Sequence, residues 1–235
     1  TALIEMTIEI LNRSLEFAVE CLHIFSSIID KEKDAFCQLF ELIGPIAWSF
    51  LEEQSEDIDI LNYCMHFFSK SIESAFKFQF LNDEFNKAIV PVCEFAFNCV
   101  NPFSELGSLL AQKAGWTFFY QLILYDSELF DQIRSQIFGL LVCVIPSNNY
   151  GSDVELFLSV ISIKCQLIIV FVDRCSEFSE DDLKKLIFVS ICGLKLNVGL
   201  NEDDFQICML CYLRLAAKIP NMELDDYILY DARLL

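Results

Sequence analysis

The chain has 235 residues, 54% of them apolar and 22% charged, and its 16 basic against 35 acidic residues leave a net charge of −19. That apolarity excludes a disordered chain, since most helical faces need a covering neighbour. The acidity repels phosphate backbones and anionic bilayers, so no direct nucleic-acid or membrane binding is expected.

Seven glycines and five prolines are too few for an all-β chain, which needs turn residues about every ten positions. The expected fold class is all-α, with nine or ten helices. The first is predicted from Leu3 to about Ile29, with Leu11, Leu15, Ala18, Leu22 and Phe25 at helical spacing. After the charged joint Asp30 to Asp34, a second runs from about Ala35 to Glu53, and a third from Ile58 to about Phe80. Asn82 supplies a cap for a fourth helix, Glu84 to about Val100. Asn101-Pro102 reads as a cap followed by a first-turn proline, opening a fifth that reaches about Tyr125. Asp126-Ser127-Glu128 opens the sixth, which ends before Pro146.

Pro146 to Gly151 has loop chemistry, and Ser152 with Glu155 has capping-box spacing before an apolar helix to about Arg174. Ser179 with Asp182 marks the next start, running to about Asn197. Asn201 with Glu202, Asp203 and Asp204 marks the ninth, and a short tenth is expected after Pro220. The purely apolar block Leu167 to Val172 falls well short of the roughly 20 residues a bilayer span requires. Eleven cysteines, an odd number, lie mostly inside apolar helical stretches (Cys21, Cys37, Cys64, Cys93, Cys99, Cys143, Cys165, Cys192). They read as free thiols and a reducing compartment, cytoplasm or nucleus. The 23 phenylalanines are expected in the core, with phenylalanine-lined partner grooves as the alternative. Thr1 to Glu5 shows no secretory pattern. Asp231 to Leu235 offers no natural stop, so a fragment of a longer chain is expected.

Taken in pairs, the helices starting near Asp34, Asp83, Ser127 and Ser179 are separated by 49, 44 and 52 residues, a length suited to a stacked two-helix unit. Leu42-Ile43-Gly44-Pro45-Ile46-Ala47 and Ala88-Ile89-Val90-Pro91-Val92-Cys93 repeat a proline inside an apolar helical pattern, 46 residues apart. On these features the chain resembles HEAT and armadillo-type repeat proteins, and its long apolar helices are similar to those of the importin-β superfamily. The resemblance covers about Asp34 to Lys218. The third and fourth pairs lack the proline, and no regular Asp and Arg positions link the pairs. It implies an α-solenoid of about four helix pairs over 34–218, capped by 1–33 and 219–235, and a scaffold role in processes such as nuclear transport. A globular helical bundle that dimerises and docks peptides, as in telomere and chromatin complexes, is the alternative architecture.

Cys208-Met209-Leu210-Cys211 has the CxxC spacing of zinc and redox sites, but no second pair completes a four-ligand set, and buried core is the expected role. Cys21-Leu22-His23 and Cys64-Met65-His66 repeat a Cys-x-His spacing. Residues two apart on a helix point about 200° from each other, so neither pair grips one ion. His23, Cys208 and Cys211 are the metal candidates of a chain for which no metal or cofactor is expected.

GxSxG, HExxH and glycine-rich phosphate motifs are absent, so the expectation is a non-enzyme. Acidic clusters stand at helix starts and joints: Glu52, Glu53, Glu56, Asp57 and Asp59; Glu177 to Asp182; Glu202, Asp203 and Asp204; Glu223 to Asp226. Solvated joints are the plainest reading, and a cation-dependent enzyme built on paired carboxylates is another. As a docking surface for basic or amphipathic segments of partner proteins, the candidate residues are Glu52, Glu53, Glu56, Asp57, Asp59, Glu202, Asp203 and Asp204.

Overall fold

The computed structural model describes residues 9, 17–53, 56–143, 153–175, 178–196 and 201–219. Among the described residues there are nine α-helices and no strand: α1 (Ala18–Ile28), α2 (Lys33–Glu53), α3 (Ile58–Lys77), α4 (Asp83–Val100), α5 (Leu109–Tyr125), α6 (Ser127–Leu141), α7 (Val154–Arg174), α8 (Glu180–Leu196) and α9 (Glu202–Ala216). The expected first helix is seen from residue 17 onward, with Glu9 also helical. The 146–151 loop, Ser152 and the helix expected after Pro220 lie outside the described residues.

Most helix starts are set by their caps. Asn82 accepts from the amides of Glu84 and Phe85, and Asn201 from those of Asp203 and Asp204. Asp57 caps α3 and Asp126 caps α6. Ser179 and Asp182 form a reciprocal box, the Ser hydroxyl accepting from the Asp182 amide at 3.1 Å and the Asp carboxylate from the Ser179 amide at 3.2 Å. Pro45 and Pro91 both sit inside continuous helices, α2 and α4.

Two boundaries correct the sequence reading. The fifth helix starts at Leu109 with Ser108 as cap, not at Asn101. Asn101 instead ends α4, and its side chain accepts from the Phe103 amide while its carbonyl accepts from Ser104. This closes a loop over 101–108, in which a Cβ on Gly107 would lie 2.4 Å from the Asn101 carbonyl oxygen. An Asn-Pro pair suits a turn as well as a helix start. The third helix stops at Lys77, not Phe80. Gln79 takes a left-handed φ of 57°, the Phe80 amide bonds the Ala75 carbonyl and the Gln79 amide the Phe76 carbonyl. That is a Schellman ending with glutamine where glycine is usual.

The odd-numbered helices form a continuous row, α1 on α3, α3 on α5, α5 on α7 and α7 on α9. They run parallel. His23 faces Tyr63, Phe76 meets Tyr125, Trp116 lies under Lys164 and Asp173 pairs with Arg214, so early residues meet early ones and late meet late. Even helices flank the row, α2 on α3, α4 on α5, and α8 on both α7 and α9. α6 packs its backbone on α5 and reaches α7 through rings, Phe130 lying 5.6 Å from Phe171.

A recurrent tie joins neighbours in the row. Lys77 donates to the Asp30 carbonyl beyond α1, Arg174 to the Ile123 and Leu124 carbonyls of α5, and Lys218 to the Val172 carbonyl of α7. In each case a cation at the end of one helix neutralises the exposed carbonyls ending the previous one. Between α5 and α3 the tie is aromatic, Tyr125 against Phe76 at 5.3 Å.

Phenylalanines fill two joints. Phe36, Phe40, Phe78, Phe80 and Phe85 cluster where α3 turns into α4, and Phe130, Phe138, Phe171 and Phe178 where α7 leads to α8. α7 is long and apolar enough to cross a membrane by length and composition. Ser159, Ser162, Lys164 and Gln166 break its apolar run into short blocks. Its apolarity matches its place between α5, α8 and α9.

Candidate docking groove

Because α3, α5, α7 and α9 run parallel, their N-termini share one edge of the molecule; the starts of α3, α7 and α9 carry acids, Asp57 and Asp59, Asp153 and Glu155, and Glu202 to Asp204, and Glu105 lies in the loop ahead of α5. Between the starts of α3, α5 and α7 lies a groove of about 930 Å³. Glu56, Glu105 and Asp153 stand on it, Ile58, Leu61, Leu106, Leu109, Leu110 and Leu156 supply apolar lining, and among the described residues neither lysine nor arginine lines it. Leu110 is 39% exposed between the buried Leu109 and Ala111, and Phe103, in the same loop as Glu105, is 79% exposed.

Of the residues expected to bind a partner, only Glu56 lines this groove. Glu52 and Glu53 are exposed at the end of α2, and Asp59 is exposed in the first turn of α3. Asp57 is occupied as a cap, its carboxylate accepting from the Asp59 and Ile60 amides. Glu202 and Asp203 are exposed and Asp204 half-buried at the start of α9, on the same edge but outside the groove lining. Glu105 and Asp153 escaped the sequence reading. One was assigned to a helix interior that is a loop, and neither belongs to an acidic run. Asp153 occupies the cap position of α7 yet makes no cap bond.

A second concavity, of about 400 Å³, lies between α6 and the α7–α8 joint, lined by Arg134, Phe138, Phe171, Arg174, Cys175, Phe178 and Asp182. Arg174 is bound to backbone carbonyls and Asp182 to Ser179, while Arg134 reaches the Cys175 sulfur at 4.0 Å.

All eleven cysteines are free. Cys208 and Cys211 are buried, with the Cys165 thiol of α7 in hydrogen-bonding reach of both. Those thiol contacts, and then burial, push Cys165 well above the ordinary thiol range. Sequence spacing gave no hint of this third sulfur. Among the described residues no group of three or more His, Cys, Asp or Glu is arranged to hold a metal ion. Cys21 and Cys64 are buried while His23 and His66 are exposed, placing the members of each Cys-x-His pair on opposite faces. His23 sets its ring edge-on to Tyr63 at 6.0 Å. Burial first, then Lys70 and His23, lower the His66 pKa.

Lys164 is the least expected group. It is 4% exposed, donates to the carbonyls of Leu140 and Cys143 at 3.3 and 3.0 Å, and lies 4.9 Å from the Trp116 ring centroid. Among the described residues no carboxylate accompanies it, and burial pulls its pKa down to about 8.

These features define an all-helical protein with an acidic edge and an apolar groove set in it. Compared with protein-family models, curated proteins and solved structures, the chain matches none of them.

Proposed function

We propose that this protein is a non-catalytic scaffold or adaptor, an α-solenoid of about four helix pairs that holds basic or amphipathic segments of partner proteins, in the cytoplasm or nucleus. The observation that carries the reading is the alignment on one edge of three acid-bearing helix starts, those of α3, α7 and α9, with Glu105 in the loop ahead of α5. A field of one sign along an edge speeds encounter with Lys/Arg-rich segments and favours them over acidic ones. The sequential row, in which each helix packs on those one or two places away, supports the repeat architecture. The end-to-carbonyl ties span 47, 51 and 46 residues, close to the spacing of the pairs. A part in nuclear transport rests on the importin-β likeness alone.

The test is titration of a fluorescein-labelled Lys/Arg-rich peptide by anisotropy, at salt from about 50 to 300 mM, where the Debye length shrinks. Binding that weakens with salt, and weakens further when Glu52, Glu53, Glu56 and Asp59 are made Gln or Asn, is expected. Binding that ignores both sinks the reading.

A second reading, a helical domain that dimerises, draws on Phe205, Leu210 and Leu213, which are 38, 47 and 55% exposed on α9. Light scattering separates the two: a mass that stays near 27.1 kDa at all concentrations removes the dimer.

A further inference from the structure

We infer that the groove between the starts of α3, α5 and α7 is a docking site for a linear peptide segment in which a large apolar side chain is flanked by lysine or arginine about three residues apart. The inference rests on the scaffold reading and narrows it from an acidic edge to one place on that edge.

Charge and shape agree here. Glu56, Glu105 and Asp153 come from three separate joints, and among the described residues none of the three carboxylates has a hydrogen-bond or ion-pair partner. At most other helix starts the polar residue is spent on the backbone, as at Asp57, Asn82, Ser108, Asp126 and Asn201. Asp153 holds the same position on α7 and leaves its carboxylate unused. Three unspent carboxylates around a lining without a cation select a polycation over any anion.

The lining adds what a polycation alone does not use. Leu110 keeps much of its side chain in water between two buried neighbours, and Ile58, Leu106 and Leu156 are half-buried beside it. A large apolar side chain of the partner covers this surface, and the cations on either side meet the carboxylates. Packed helices lie about 8 to 10 Å apart, so acids borne by successive members of the row are met at about that interval. A chain in the polyproline-II conformation rises about 3.1 Å per residue with three residues per turn, so cations three residues apart fall on one face about 9 Å apart and match it.

The probe is a fluorescein-labelled peptide of about ten residues with the core Lys-Ser-Leu-Lys-Ser-Leu-Lys, compared by anisotropy with an analogue in which both leucines are serine. The wild-type chain is expected to bind the leucine peptide about tenfold more tightly than its equally charged analogue. Leu110→Ser should erase that preference with little effect on the analogue, since Leu110 is exposed and its loss leaves no core cavity. The double substitution Glu105→Gln, Asp153→Asn should weaken both peptides about equally and flatten their salt dependence. Circular dichroism confirms that each variant is folded.

If wild type binds the two peptides equally, or Leu110→Ser keeps the preference, the groove inference falls while the acidic-edge reading stands. If neither peptide binds at any salt concentration, both fall.

Discussion

Lys164 offers the most demanding test of the packing described above. Its ammonium is buried with two carbonyl acceptors and an indole face, and its pKa falls from 10.5 to about 8. A drop of that size corresponds to about 3 kcal/mol of differential interaction at about 1.4 kcal/mol per pH unit. The sign follows from proton linkage. Between pH 8 and 10.5 the unfolded chain holds this proton and the folded chain does not, so the lysine makes stability rise with pH across that window. The contribution is complete above the unfolded value and is lost as pH falls through about 8.

Thiols act in the opposite direction. Burial raises Cys64, and lifts Cys93 and Cys99 to about 12 and Cys192 to about 11, from an ordinary 9.0. Each removes stability as pH climbs past 9, where the unfolded thiols ionise and the folded ones do not. Total stability is therefore a poor readout, and the difference between wild type and Lys164→Met is the right one, since Cys64, Cys93 and Cys99 cancel in it and Cys192, whose pKa Lys164 lowers, leaves only a secondary contribution. Methionine keeps the length of the chain and removes the charge.

At pH 7 the two proteins should lie within about 2 kcal/mol of each other, because loss of the carbonyl bonds offsets release from the desolvation penalty. From pH 7.5 to 9.5, urea denaturation at fixed temperature should show wild type gaining on Lys164→Met. The slope should approach but not exceed about 1.4 kcal/mol per pH unit. A difference that stays flat over that range would mean the ammonium is solvated in the folded chain, refuting the account of the α6–α7 contact.

Two backbone predictions follow from local geometry. Gln79→Gly should stabilise the chain by about 0.5 to 1 kcal/mol, because it removes the Cβ penalty of the left-handed φ of 57° without touching the Schellman bonds; a loss of stability in urea would contradict it. Gly193→Ala should cost about 1 to 3 kcal/mol, since its Cβ would lie 2.4 Å from the Cys208 sulfur and 2.9 Å from a methyl of Ile161; adding Cys208→Ala should recover more than half of the loss in thermal denaturation.

How much of this was legible in the sequence depended on whether the deciding partner was nearby. Asn82, Asn201, Asp126 and the Ser179–Asp182 box were read correctly because each cap bonds amides two or three residues on. Asn101 misled for the same reason. Its local bond to Phe103 serves a turn, and an Asn-Pro pair signals turn and helix alike until the chain around Gly107 is seen to close. The ending at Gln79 carried no signal, since glutamine is not the residue expected in a left-handed cap.

The ties between helices were invisible in a different way. A search for regularly placed Asp and Arg found none because the cations of Lys77, Arg174 and Lys218 meet backbone carbonyls, which every residue has. The role of Lys164, the third thiol beside Cys208 and Cys211, and the meeting of Glu56, Glu105 and Asp153 all depend on packing between helices. The acidic clusters flagged from sequence mark the edge, and the groove is built largely from acids outside those clusters.

Acidity at the edge has an ordinary physical cause as well as a functional use. A helix start presents unpaired amides and the positive end of the dipole, so carboxylates there are stabilised whatever the protein does. Asp57 shows this plainly, with its oxygen on two amides, and Asp203 and Asp204 stand at the corresponding start of α9. Such acids are poor markers of binding because their charge is already answered by the backbone. Glu56 and Glu105 lie in joints ahead of the first helical residue, and Asp153 declines the bond its position offers. Their charge is answered by nothing in the described chain, and they surround exposed leucine rather than open solvent. Charge left over after the backbone has been satisfied, set beside apolar surface that folding has not covered, distinguishes a docking site from an acidic helix end. By that criterion the groove, with three such carboxylates about its leucines, is the strongest of the acidic joints described.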